Sequence, residues 1–345
     1  MRSSTGQFPA LDTIRGFGFL LVLISHIGNA RNFPTRGMGQ FGVWIFFVLS
    51  AFLLSRPFFA DPGRIRRVQA WKAYFFRRAL RIFPPLVAAL IAFHFVSNWD
   101  WRMVAENLFF IRGTDAIWTV FIEVRYYVIL PLAVALIVSL SFRRRLFVFL
   151  LLVGLTFHVI DAPFWRDPAT WFARSGDEVN AHTFLQYLPV FVAGTLLAWI
   201  SVKVSGSKAW TGKLRKVAAA GVISSLVALI VLSPAIMGEI IGAHFSGPYY
   251  AYWWTPLLPI SCSLVFFSTL ATGGVAAFLA HPLCRALGKI SYSGYLSHGF
   301  YVNGFRAVEN RWLYIGAVIV SSFVTATLGY MLLEKPFMRM GRPRA

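Results

Sequence analysis

Charge is scarce in this chain, and acid is scarcer still. Only 13% of the 345 residues are charged, about half of the roughly 25% found in soluble domains, and 57% are hydrophobic. Water is therefore not the main solvent of this fold. No polar block is large enough to fold by itself, so residues 1–345 read as a single membrane-embedded domain with no separate soluble catalytic unit. Cysteine is nearly absent. The two present, Cys262 and Cys284, lie in or beside apolar segments and match neither a metal spacing nor a disulfide framework. They read as packing residues, and the pattern calls for no metal.

What the sequence has instead is long apolar runs. A spanning helix needs about 20 such residues, and candidates fall at 11–29, 39–59, 80–97, 117–140, 146–163, 183–202, 217–237, 250–272, 288–306 and 312–333. The expectation is an all-α polytopic membrane protein of about ten transmembrane helices. The net charge of +20 could suggest a nucleic-acid partner, but its distribution argues against one. With the N-terminus on the cytoplasmic side, the inside segments hold 24 of the 33 basic residues, from Arg2 and Arg15 through Arg56–Arg81 to Lys335–Arg344. The outside loops hold eight basic residues against nine acidic ones, among them Asp100, Asp115, Asp167 and Glu178. This is the positive-inside pattern, so both termini are expected in the cytoplasm and the chain in the cytoplasmic (inner) membrane. The basic face would also attract anionic membrane lipids. The sequence is compatible with a homo-oligomer and does not specify one.

The first apolar run could be a signal peptide, with Gly28-Asn29-Ala30 as a small-residue cleavage site. Asp12, Arg15 and His26 count against that, because such residues are costly in a segment destined for removal. They also open the functional question. Ionisable residues within spans are rare and mark sites by default; here they are Arg15, His26, Glu123, Arg125, His158 and His298, with Arg78 and Arg81 at a span entrance.

Arg15 and His26 are eleven positions apart, close to three turns, so one helix face presents both, about 16 Å apart along the axis. Asp12 can pair with Arg15 at three-residue spacing. A neutral imidazole at the depth of His26 can act as a general base, or it can satisfy a hydrogen bond between helices. Arg78 and Arg81 are neighbours on one face, where two guanidinium forks fit phosphate oxygens; snorkelling topology anchors would look the same. Glu123 needs a partner at its depth, either in a structural ion pair or in an active site. His158 has no polar neighbourhood and reads as packing. Tyr295 and His298 stand three apart, as do Ser291 and Gly294, forming a polar stripe suited to close helix packing or to lining a cavity.

Taken in order, Leu11-Asp-Thr-Ile-Arg-Gly16 with His26, Gly42–Ser50, Arg77–Pro84, Trp118–Pro131, Gly288–His298 and Tyr330 with Glu334–Phe337 resemble the acyltransferase-3 family of membrane-bound O-acyltransferases over essentially the whole chain. The resemblance implies acyl-coenzyme A, in particular acetyl-coenzyme A, as the donor, with no metal. It implies a hydroxyl of a carbohydrate or small-molecule acceptor as the target. Arg15, Arg78 and Arg81 then bind the cofactor's phosphates, His26 is the catalytic base, and Glu123 orients His26 or meets the acceptor. Tyr295 and His298 contact substrate. The chain departs from the usual pattern at Ala51, where glycine commonly follows the serine, and at Arg125, which bears on the acceptor pocket. The rival from another class is a transporter or flippase of a glycan or lipid-linked substrate, since the same ionisable residues can mark a translocation path; no internal repeat supports it. A scaffold would leave the buried ionisable groups without a role.

Overall fold

The computed structural model describes residues 8–31, 35, 38–111, 113–155, 181–232 and 254–341, and no strand occurs among them. In chain order the helices are α1 (Pro9–Arg31), α2 (Gly39–Ala60), α3 (Val68–Ser97), the short α4 (Trp101–Leu108), α5 (Trp118–Ser139), α6 (Phe142–Leu155) and α7 (Ala181–Ser205). They continue with α8 (Lys208–Val231), α9 (Trp254–Leu270), α10 (Gly273–Ala280), α11 (Pro282–Gly304), α12 (Arg311–Gly329) and α13 (Lys335–Met340).

Seven stretches among the described residues are long and apolar enough to cross a bilayer: α1, α2, α3, α8, Asp115–Ser139, Tyr187–Ser205 and Arg311–Met340. Helices α9 and α10, bent by 98° at Gly273, make an eighth if taken as one span. The outward faces of these helices are apolar, with Phe95, Val128, Leu132 and Val320 exposed, as lipid rather than water requires. This is an all-helical, multi-pass membrane protein.

One expected span comes out differently. The run at 288–306 falls on α11, which has the length, but Arg285, Lys289, Ser291, Tyr292, Ser293, Tyr295, Ser297 and His298 make it too polar to count as lipid-facing. Its polar stripe is buried instead against other helices, which also explains the residues it carries. The run at 146–163 is represented by α6 alone, and His158, Asp167 and Glu178 lie outside the described residues. A second difference concerns a boundary. Helix α3 begins at Val68, twelve residues or about 18 Å before the expected entrance at residue 80. Arg78 and Arg81 are thus embedded in the middle of a continuous helix. That helix ends where Asn98 adopts a left-handed conformation (φ 53°) and its N–H caps the Phe93 carbonyl.

The centre of the bundle is the parallel pair α1 and α11. Their backbones touch: a Cβ at Gly288 would lie 1.7 Å from the Asp12 carbonyl oxygen, and one at Gly16 would lie 2.7 Å from Leu287 Cβ. Small residues permit this approach, which in a bilayer supplies the packing that the hydrophobic effect does not. Thr13 ties the same end to α10 through a 2.7 Å hydrogen bond to the Leu279 carbonyl. Ala51 is fully buried against α7, where Gly194 provides the missing space; a Cβ on Gly194 would meet Ala51 Cβ at 2.8 Å. Because the facing residue is glycine, alanine at position 51 fits. Cys262 and Cys284 are unpaired.

Candidate functional site

Helices α1, α2, α3, α5 and α11, closed by the α12–α13 segment, surround a cavity of about 610 Å³. Five cations line it, Arg15, Arg78, Arg81, Arg285 and Lys289, against the three carboxylates of Asp12, Glu123 and Glu334. The site residues expected from the sequence are therefore drawn together from separate helices, with Arg15, Arg78, Arg81, Glu123 and Tyr295 all on one wall or another of this space.

Each charge is placed by a local feature. Asp12 sits between two arginines, 3.9 Å from Arg15 and 3.7 Å from Arg285, and so holds α1 and α11 in register at the cation-rich end. Glu123 is held by the hydroxyls of Ser50, from α2, and Tyr127, one turn along α5. These donors partner its carboxylate in place of an ion pair. Both of these hydrogen bonds fall on the same oxygen of Glu123, Oε1. Arg125 takes no part in the cavity; its guanidinium stacks on Phe121 at 3.9 Å. That departure from the family pattern leaves this cavity untouched.

Glu334 was not legible as a site residue. It is 1% exposed, accepts hydrogen bonds from the Ser293 amide at 3.1 Å and hydroxyl at 2.5 Å, and lines the cavity. It closes a π-helical turn, Tyr330–Glu334, between α12 and α13. Such widened turns are frequent at functional sites, and here the turn directs a carboxylate at α11 from an otherwise apolar segment. A lone acid at the end of an apolar run was the available signal.

Beyond Tyr295, whose ring packs edge-on against Phe46 at 5.9 Å, two histidines meet. His26 of α1 and His298 of α11 have ring centroids 4.8 Å apart, and His298 Nε2 lies 3.3 Å from His26 Nδ1. His298 is fully buried, and its Nδ1 is 2.6 Å from the Tyr295 carbonyl oxygen. A carbonyl can only accept, so Nδ1 of His298 carries its proton and Nε2 keeps a lone pair. His26 Nδ1 must then donate to that lone pair. His26 is left with an unprotonated Nε2, the form a general base needs. His298 is thus placed to fix the tautomer of His26. Tyr295 remains on the cavity wall.

Among the described residues no three His, Cys, Asp or Glu side chains gather as metal ligands. The geometry suits a long, anionic molecule with its charges at the cationic end and its other end near Tyr295 and the histidine pair.

No solved structure matches this chain. It is 24% identical over 387 residues to the proteins named O-acetyltransferase OatA of Staphylococcus aureus strains NCTC 8325 / PS 47, COL and MRSA252. The match takes in 98% of this chain and 58% of each relative, so the chain spans little more than half the length of those proteins. Residues 8–334 match the family model described as an acyltransferase domain. Because that match covers nearly the whole chain, this protein belongs to the acyltransferase-3 family.

Proposed function

We propose that this chain transfers an acyl group, acetyl in the first instance, from cytoplasmic acyl-coenzyme A to a hydroxyl of a carbohydrate-like acceptor across the inner membrane. The observation that supports it most is a cavity lined by five cations whose wall residue Tyr295 adjoins His298, its ring centroid 5.5 Å away, and through His298 a histidine left with a free lone pair. Coenzyme A brings a pyrophosphate and a further phosphate, which the forked donors of Arg15, Arg78 and Arg81 fit. The thioester end reaches toward Tyr295. His26 Nε2 takes the proton of the acceptor hydroxyl while its oxygen bonds to the acyl carbon; the C–S bond breaks, and the departing thiolate recovers the proton. Glu123, with Ser50 and Tyr127, shapes the wall where donor and acceptor meet. The name carried by the relatives, O-acetyltransferase, agrees with this chemistry.

Purified protein supplied with labelled acetyl-coenzyme A and the host's glycans is expected to label a glycan hydroxyl. Arg78→Lys and Arg81→Lys keep charge but lose the fork, and each should weaken donor binding while membrane insertion survives. Unchanged donor affinity in both would reduce the arginines to topology anchors. Donor-independent movement of a glycan, with no labelled product, would favour transport.

The donor side depends on orientation. Cysteines placed at Arg64 and Glu309 should be protected from, and open to, an impermeant thiol reagent in intact cells, respectively. The reverse labelling would put the cationic end outside and overturn the cytoplasmic donor.

A further inference from the structure

Near the histidine pair, outside the cavity lining, lies a carboxylate that no step above uses. Asp115 opens the 3-10 turn Asp115–Ile117 that leads into α5. Its backbone is left-handed, φ 50°, a conformation uncommon for any side-chain-bearing residue, though less so for Asp and Asn. Strained backbone of this kind persists only where the surroundings over-determine it, and here they do. Asn107 is 1% exposed. Its Oδ1 accepts the amide of Thr114 at 2.9 Å, and its Nδ2 donates to the Thr114 hydroxyl at 3.2 Å and to the Met103 carbonyl at 2.9 Å. The residue before Asp115 is thereby clamped to α4. On the other side Gly113 is pressed against Trp118, where a Cβ would come within 2.7 Å of the Trp118 Cα.

The clamp aims the Asp115 side chain at α11. Its carboxylate oxygens lie 3.8 and 3.9 Å from where a Cβ on Gly299 would sit, next to His298, whose Nε2 is 3.3 Å from His26. The described titratable groups facing His26 are His298 of α11 and Asp115, with Tyr295 behind His298. Helix α2 has no charged residue along this stretch. Arg31, further along α1, is engaged by the carbonyls of Arg306 and Val308 and by the ring of Tyr314 on α12.

We propose that Asp115 is a positioning residue for the transfer, a fixed carboxylate that stabilises the imidazolium formed when His26 takes the acceptor's proton. This rests on the acyl-transfer function proposed above. When His26 Nε2 gains the hydroxyl proton, its ring becomes cationic in a medium that penalises charge, and a nearby anion offsets that penalty. His298, neutral in this tautomer, offers His26 a hydrogen-bond acceptor but no counter-charge. Holding the carboxylate by strained backbone means that it need not reorganise as charge develops.

The test uses full-length protein and a readout that does not depend on transfer. Diethyl pyrocarbonate reacts with free-base imidazole, and His26 is partly exposed while enclosed His298 is not. The rate of His26 modification, followed by mass spectrometry, should rise with pH. In Asp115→Asn, which keeps side-chain shape and tolerates the left-handed backbone, its midpoint should fall by about one pH unit, the low end of what an adjacent opposite charge does. Acceptor labelling should drop by roughly tenfold, less than loss of the base itself would cause, with donor binding unchanged. Asp115→Gly, which suits the backbone best, should behave like Asp115→Asn. An unmoved midpoint in both variants, or full activity in Asp115→Gly, would overturn the proposal by showing that position 115 matters only for its turn. A shifted midpoint in a protein that never labels an acceptor would count against the acyl-transfer function alone and leave the electrostatic link standing.

Discussion

Replacing His26 with glutamine is expected to abolish acceptor acylation while leaving the folded protein and its donor binding near normal. The loss should fall in the range of about 10²- to 10⁴-fold typical for removal of a general base. Glutamine is the discriminating choice because its amide N–H can still donate to the Nε2 lone pair of His298, as His26 Nδ1 does across 3.3 Å, yet it cannot take a proton at neutral pH. A histidine that only ties α1 to α11 would tolerate glutamine better than alanine. A histidine that acts as a base fails equally with either. In the parent the rate should climb with pH as free-base His26 accumulates, and acylation per folded protein measures both effects. Full activity in well-folded His26→Gln would move the catalytic role elsewhere in the site, with Glu123 or Glu334 next in line.

The second large effect is expected at a helix crossing on the cavity wall. Gly288→Ala adds one methyl group at a point 1.7 Å from the Asp12 carbonyl oxygen, where the obstacle is backbone and cannot rotate away. Either α1 and α11 separate or the protein does not assemble. The cost should reach or exceed the ~1–3 kcal/mol usual for overpacking, and because Asp12 bridges Arg15 and Arg285 across that crossing, donor binding should fall with it. Gly316→Ala is the control. Nothing lies within 4 Å of a Cβ at Gly316 on α12, so that change should leave thermal unfolding in detergent unchanged or raise it slightly. Equal stability of the two variants would mean that the α1–α11 approach is not the constraint it is argued to be.

Much of the candidate site could be read from the sequence because membrane interiors make ionisable residues expensive, so that Arg15, His26, Glu123 and His298 stand out against apolar surroundings. Their roles were another matter. His298 reads as substrate-binding from its polar stripe, but only the packing of α11 on α1 shows it enclosed and bonded to His26. Glu123 reads as orienting His26 or meeting the acceptor, and only the approach of α2 supplies Ser50 as a hydrogen-bond neighbour, with Tyr127 beside it on α5. Glu334 is one acid at the end of an apolar run until a π turn brings it onto Ser293. Asp115 looks like one of nine acids on outer loops until the Asn107 clamp and its left-handed backbone single it out.

Composition, apolar runs and the placement of basic residues determine by themselves that this chain is a helical membrane protein and which residues are too costly to be idle, because transfer into lipid is a property of each segment alone. The order of motifs likewise points to the family. Which costly residues meet is decided only by the tertiary structure. Interhelical contacts depend on where two backbones can touch, at Gly16 and Gly288 above all, and a span of a few ångströms between helices nearly 300 residues apart in the chain leaves no local trace in the sequence.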